Sequence, residues 1–210
     1  MTNGKVKVWD KGVRIFHWSL VTLFTLSYFT GDEIEEVHVY SGYTIIALLV
    51  FRILWGFVGT QHARFSDFVR GPAAVIDYLK QMKVGNPPHY LGHNPAGGAM
   101  IVALLISLSL TTFTGLKAYA EEGHGPLAAI DISLVTPAYA HDDDDEDKAM
   151  GGKKKKKEDE FWKEVHDVMG NITLTLVFLH ILGVIVSSKL EGQNLARAML
   201  TGEKELPPSD

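Results

Sequence analysis

Four stretches of the chain are nearly free of charged residues, and polar blocks separate them. Ile15–Gly31 carries no charged residue over 17 positions, Val37–Ala63 only Arg52, Asn94–Leu116 none over 23 and Val168–Ser188 none over 21. A helix needs about 20 apolar residues to cross a hydrocarbon layer of about 30 Å. The last three stretches meet that length directly. The first meets it once Val13 and Arg14 are included and the arginine snorkels. A soluble amphipathic helix would show a polar stripe, yet Ala99–Leu110 and Ile172–Val186 show no charged face. The pattern predicts an all-α membrane protein. Its single domain, 1–210, is a four-helix transmembrane bundle with spans at 13–31, 37–59, 95–117 and 164–188.

Two connections carry a pattern of their own. In 60–93, the apolar spacing of Phe65–Val84 suits a short helix along the membrane surface, broken at Gly71-Pro72. In 118–163, an acidic run (Asp142–Asp147) and five lysines (Lys153–Lys157) read as a disordered, solvated segment. Thr136–Ala140 imitates a signal cleavage site, but no ordinary apolar run precedes it, and it reads as loop. The first apolar block is expected to be a span, not a cleaved signal, because three more follow. No internal repeat is read from the chain.

Charge then sets an orientation. Lys5, Lys7, Lys11 and Arg14 precede the first span, Arg64, Arg70, Lys80 and Lys83 lie in 60–93, and Lys189, Arg197 and Lys204 follow the last span. The short loop after the first span has four acids and no base. The positive-inside rule places both termini in the cytoplasm. The lysine run opposes this, but it lies in a long, net acidic loop where the rule weakens. The chain has no cysteine, so disulfides, thiolate metal sites, cysteine-held iron–sulfur clusters and covalent c-type haem are excluded. A net charge of −5 argues against general nucleic-acid binding.

Candidate chemistry rests on the histidines. Four of nine, His17, His38, His166 and His180, fall in or at the edge of spans, where ionisable groups are costly and usually functional. His166 and His180 are 14 residues apart, which returns them to one helix face about 21 Å apart along the axis. Antiparallel spans bring His38 level with His166 and His17 level with His180. This predicts two b haems, each held by an axial histidine pair, with the iron suited to electron transfer. Gly42, Gly170 and Gly183 lie near the ligands, where they would admit a flat macrocycle or a close helix. Arg14 and Arg52 are candidates for haem propionates. His93 precedes Asn94-Pro95, a helix start with proline at its first position. It could replace His17 as ligand, contact a propionate, bind a quinone headgroup, or simply pack. His62, His89, His124 and His141 read as solvated loop residues.

Several motifs resemble the bacterial cytochrome b561 and Ni/Fe-hydrogenase b-type cytochrome family. They are Arg14-Ile15-Phe16-His17-Trp18, Leu54–Gly59, Phe65–Pro72, Gly92–Gly98 and Asn194–Met199. The resemblance covers 6–118 and 160–204. It implies a di-haem cytochrome b of the inner membrane that exchanges electrons between quinone (menaquinone or ubiquinone) and a redox partner. That partner would be a periplasmic cytochrome c, a hydrogenase or another dehydrogenase subunit. The membrane subunit of formate dehydrogenase, a relative in this resemblance, has two histidines 14 residues apart, and an asparagine there helps bind menaquinone. Asn94 is the counterpart that this implies. Two other readings stay open: a quinone-coupled oxidase of a small substrate such as superoxide, and a haem-free membrane adaptor or transporter.

Overall fold

The computed structural model describes residues 4–31, 33–85, 87–128 and 147–205, with backbone alone over 147–159. Thr136–Ala140, His141 and all but the last residue of Asp142–Asp147 lie outside the described residues. Four long helices dominate: α1 (Lys11–Thr30), α2 (Glu35–Val58), α5 (Pro95–Glu121) and α6 (Asp147–Glu191). Between α2 and α5 come a 3-10 turn (Gln61–Ala63), α3 (Phe65–Phe68) and α4 (Pro72–Val84). After α6 come α7 (Leu195–Thr201) and β2 (Glu203–Glu205), which pairs with β1 (Lys5–Lys7).

The long helices pack as two antiparallel hairpins, α1 with α2 and α5 with α6, joined by contact of α2 with α5. Among the described residues, three segments are long and apolar enough to cross a membrane: Glu35–Val58, Pro95–Glu121 and Glu160–Glu191. The 20-residue α1 has a more polar composition and does not join them. The bundle core is Ile45, Leu49 and Leu108, with Leu20, Leu23, Phe24 and Leu105 around it. Large apolar side chains such as Phe29, Leu54, Phe57 and Phe178 point outward. Exposed apolar area on this scale marks a binding or membrane surface. The first turns of α6 take in Lys153–Lys157, which the sequence reading placed in the loop. Lysine and glutamate are good helix formers.

Local chemistry sets the helix starts. Asp10 caps α1 by accepting a hydrogen bond from Val13 N at 2.9 Å, and Asn94 caps α5 by accepting from Gly97 N at 2.7 Å. The break between α3 and α4 falls at Gly71-Pro72, where proline opens α4. Gly98 lets α3 rest on the first turn of α5, because a side-chain carbon there would run into the Phe68 carbonyl. The β1–β2 ribbon pairs Lys5 with Glu205 and Lys7 with Glu203, so the segments before α1 and after α6 meet at one end of the bundle. This is called the terminal end below, and the opposite one the far end.

Candidate functional site

All four span histidines come together in two pairs. At the far end, the rings of His38 and His166 have centres 5.8 Å apart and planes at 86°. At the terminal end, His17 and His180 have centres 6.5 Å apart and planes at 56°. Two imidazoles on opposite sides of one metal, each by a nitrogen about 2 Å away, have ring centres about 6 Å apart. Both separations suit that arrangement.

The far-end pair is held from behind. His38 Nδ1 lies 2.9 Å from the Ser27 carbonyl, and His166 Nδ1 lies 3.0 Å from the Thr111 carbonyl. A carbonyl only accepts, so each Nδ1 carries the proton and each Nε2 is left free. Histidine ligands of metals characteristically make such a bond through the other ring nitrogen. Gly31 and Gly115 stand against the two rings: an added carbon would lie 3.4 Å from His38 Nδ1 and 2.9 Å from His166 Cε1. At Gly42, Gly170 and Gly183 an added carbon would meet nothing within 4 Å. Open space beside the ligand positions fits a flat macrocycle.

The terminal end is unlike it. His17 Nδ1, Arg14 Nε, Arg52 Nη1 and His93 Nδ1 are buried without a hydrogen-bond partner among the described residues. Arg14 donates its Nη2 to the Leu200 carbonyl of α7. Arg52 is 3% exposed and lies over the rings of Phe65 and Phe68, at 5.3 and 5.7 Å. Buried cationic nitrogens without a hydrogen-bond partner are rare, and here they adjoin a site suited to a cofactor bearing carboxylates. The orphaned donors and the open glycine faces both fit haem.

His93 sits between Trp9 and Phe68, with ring centres 4.3 and 5.0 Å away. Burial, reinforced by the positive charges of Arg52 and Lys204, pushes its pKa down to about 3. It is therefore neutral at physiological pH. Lys204 closes over it: Nζ donates to the carbonyls of Tyr90 and Gly92, at 3.2 and 3.3 Å, and lies 4.0 Å from Glu191. Burial lowers the Lys204 pKa, and Glu191 opposes the shift. The Asn94 side-chain oxygen is engaged in capping α5.

One reading of the sequence needs correction. His62 is no free loop residue: its Nδ1 is 3.0 Å from Asp67 Oδ2, and both press on Gly92. Sequence spacing gave no reason to pair the 3-10 turn with α3. Beside the expectation of no internal repeat stands one short likeness. Ser27-Tyr28-Phe29-Thr30-Gly31 and Thr111-Thr112-Phe113-Thr114-Gly115 share a pattern, hydroxyl-x-Phe-Thr-Gly, and each grips a histidine. That pattern was the signal for Ser27, Gly31, Thr111 and Gly115, which histidine spacing alone passed over.

Comparison with known proteins bears on the family. The chain is 28% identical to a probable Ni/Fe-hydrogenase B-type cytochrome subunit of Rhizobium leguminosarum bv. viciae, over 55% of this chain and 60% of that protein. It is 31% identical to a protein of the same name from Azotobacter chroococcum mcd 1, over the same shares. The chain thus spans somewhat under two thirds of these relatives. No solved structure matches it. The family description prokaryotic cytochrome b561 matches residues 8–202, nearly the whole length. A membrane chain with two such histidine pairs, matched over that range, belongs to the prokaryotic cytochrome b561 family.

Proposed function

We propose that this protein is a di-haem b cytochrome of the bacterial inner membrane that passes electrons between a redox partner and quinone. The observation that carries the reading is the pair of histidine couples, one at each end of one bundle, each at a separation suited to a single metal. His38 and His166 would hold one haem b, and His17 and His180 the other. The bound group would supply reversible one-electron chemistry.

The chain's own residues do the remaining work. The Ser27 and Thr111 carbonyls fix the protonated nitrogen of His38 and His166. Arg14 and Arg52 bring positive charge to the terminal end, where they would pair with propionates. His93, buried and neutral with one ring nitrogen unpartnered, offers a hydrogen bond to a quinone headgroup at the mouth beside Asn94. The β1–β2 ribbon supports four crossings, α1 included, because segments on either side of the bundle sequence meet only after an even number. With the basic residues of the short connections, it supports termini on the cytoplasmic side. The relatives' name supports a hydrogenase as the redox partner. A periplasmic cytochrome c or another dehydrogenase would meet the same far-end surface.

The test is a dithionite-reduced minus oxidised spectrum of purified protein, with haem counted per chain. Two b haems are expected, falling to one in His38→Ala and to one in His180→Ala. No haem in protein grown with ample haem supply overturns the reading. One haem in the unaltered chain overturns its two-site form, and loss of that haem in His93→Ala but not His17→Ala moves the terminal ligand to His93.

A further inference from the structure

The two hairpins are built on one plan. The Ser27–Gly31 pattern recurs 84 positions on, at Thr111–Gly115, and the same step carries the capping Asp10 onto the capping Asn94 and Trp9 onto His93. In the second helices the step is 128 positions: His38 and Gly42 recur as His166 and Gly170. The larger step reflects the longer α5–α6 connection. Three-dimensional contacts follow the same correspondence. Trp9 meets its counterpart His93 at 4.3 Å between ring centres, with the planes tilted by 44°, and His38 faces its counterpart His166 at 5.8 Å. Counterparts that touch must lie on the axis relating the halves. That axis therefore runs along the bundle, through the far-end histidines and the Trp9–His93 contact.

Each half applies the same grip. A main-chain carbonyl of the first helix takes the histidine Nδ1, at 2.9 Å from Ser27 and 3.0 Å from Thr111. A hydroxyl lies just beyond, Ser27 Oγ at 3.2 Å in one half and, from a position that does not correspond, Thr114 Oγ1 at 3.4 Å in the other. A glycine four residues after the carbonyl bears on the ring. The terminal end does not obey the axis, since the counterpart of His180 is Arg52 and that of His17 is Ile101.

We propose that Ser27–Gly31 and Thr111–Gly115 are one histidine-positioning device present twice, which fixes the ring planes and the protonated nitrogens of His38 and His166. These residues act through the histidines and do not touch the iron. The inference rests on the ligand reading above. A ligand whose Nδ1 proton is shared with a carbonyl is a stronger electron donor, and ring planes set the electronic symmetry at the metal.

The test uses detergent-purified full-length protein, with a redox titration that resolves the two haems and low-spin electron paramagnetic resonance. Gly115→Ala is expected to shift the far-end resonance and midpoint potential or to cost that haem, with the terminal-end signal unmoved. Gly31→Ala is expected to do the same more weakly, because its contact is an ordinary one. Ser27→Ala and Thr114→Val, milder changes that keep the helix, are expected to move the same far-end component, and Thr114→Ser to restore it. A wild type with two haems and variants that leave the far-end signal untouched, or that move both signals equally, overturns the device while leaving the ligands in place. A wild type without two haems overturns the ligand reading and this inference with it.

Discussion

At the far end, His38 and His166 each donate a hydrogen bond to a neighbouring helix's carbonyl, and the hydroxyl groups of Ser27 and Thr114 lie beside them. At the terminal end, His17 Nδ1 has no such acceptor among the described residues, and the neighbours are cations and aromatic rings instead. The ring separations of the two pairs are similar, so ligand geometry alone does not separate them. What differs is the state in which the protein holds each pair. Without any cofactor the far end is already satisfied: its polar groups find each other, its orientation is fixed and it lies on the axis of the duplicated hairpins. The terminal end is unsatisfied, with buried donors waiting for an acceptor. A site complete in itself suits passing an electron, whereas a site short of acceptors suits binding something that brings them.

Arg52 tests this contrast with the largest effect. In haem-free protein its guanidinium is a buried charge with one nitrogen unpartnered. Replacing a buried ion pair by apolar residues of similar volume is often neutral or stabilising by about 1–4 kcal/mol, and a buried charge with an unpartnered nitrogen has still less to lose. Arg52→Met is therefore expected to raise the melting temperature of the haem-free protein. In the loaded protein the same change is expected to weaken retention of the terminal-end haem and lower its potential, since a nearby positive charge favours the reduced iron. The opposite signs in the two forms are what an anion-holding arginine predicts. Thermal unfolding with and without haem checks it, and equal destabilisation in both forms would assign Arg52 to packing.

Much of this arrangement is legible in the chain. Charge-free blocks mark the helices, because lipid-facing and core-facing positions are both apolar and no polar stripe confuses the count. The pairing of His38 with His166 and of His17 with His180 follows from chain direction and from 14 residues of helix. The Asn94-Pro95 start is legible because its chemistry is local. The cover of the terminal end is not. The α7 and β2 elements are short, and β2 is a run of alternating charges that meets β1 some 200 residues away. Lys204 reads as a surface residue, and its burial depends on carbonyls at Tyr90 and Gly92 that no periodicity connects to it. The duplication hides for another reason: few residue identities survive it, and unequal loops give its two helices different offsets.

His93 gives the middle effect, through pH. Its folded-state pKa of about 3 lies below the ordinary 6.5. As pH falls below 6.5, the unfolded chain takes up a proton first, so stability falls with pH in the window from 6.5 down to 3 and is level above it. The charges felt by the ring are those of Arg52, Lys204, His62 and His180, and all oppose its protonation. Asp10 adds its own loss only at lower pH. Burial disfavours its charge, but bonds from Thr60, Val13 and Trp55 outweigh that and lower its pKa below 3.8. Between pH 6.5 and 5 the His93 contribution amounts to about 1–2 kcal/mol. His93→Phe keeps an aromatic ring between Trp9 and Phe68 and is expected to lessen the fall of the melting temperature over that range by the His93 share, the other buried histidines keeping theirs. An unchanged slope would mean that water reaches the ring and that the terminal end is not closed by Lys204.

The smallest effect lies between the two ends, where the duplicated hairpins diverge. In the first hairpin Leu23 packs with the buried Ile45. Their counterparts in the second are Ser107 and Thr173, whose hydroxyls meet at 2.6 Å, with Thr111 Oγ1 at 2.9 Å from Thr173. Each threonine also donates to its own helix, Thr173 to Met169 and Thr111 to Ser107. A hydroxyl with one proton cannot donate both ways at once, so the contact between helices is partly redundant. Bonds of this kind inside a membrane are worth about 0.6 kcal/mol on average. Thr173→Val keeps the shape and is expected to cost about 1 kcal/mol or less, because it strands Ser107 without opening a cavity. Ser107→Ala together with Thr173→Val removes both partners, restores the apolar contact that the first hairpin already uses, and is expected to cost less than the two single changes added. A double-mutant cycle on thermal unfolding measures that difference. Strict additivity would mean that the hydroxyl pair carries no coupling, and that the far-end grip on His166 is set by Thr111 and Thr114 without support from below.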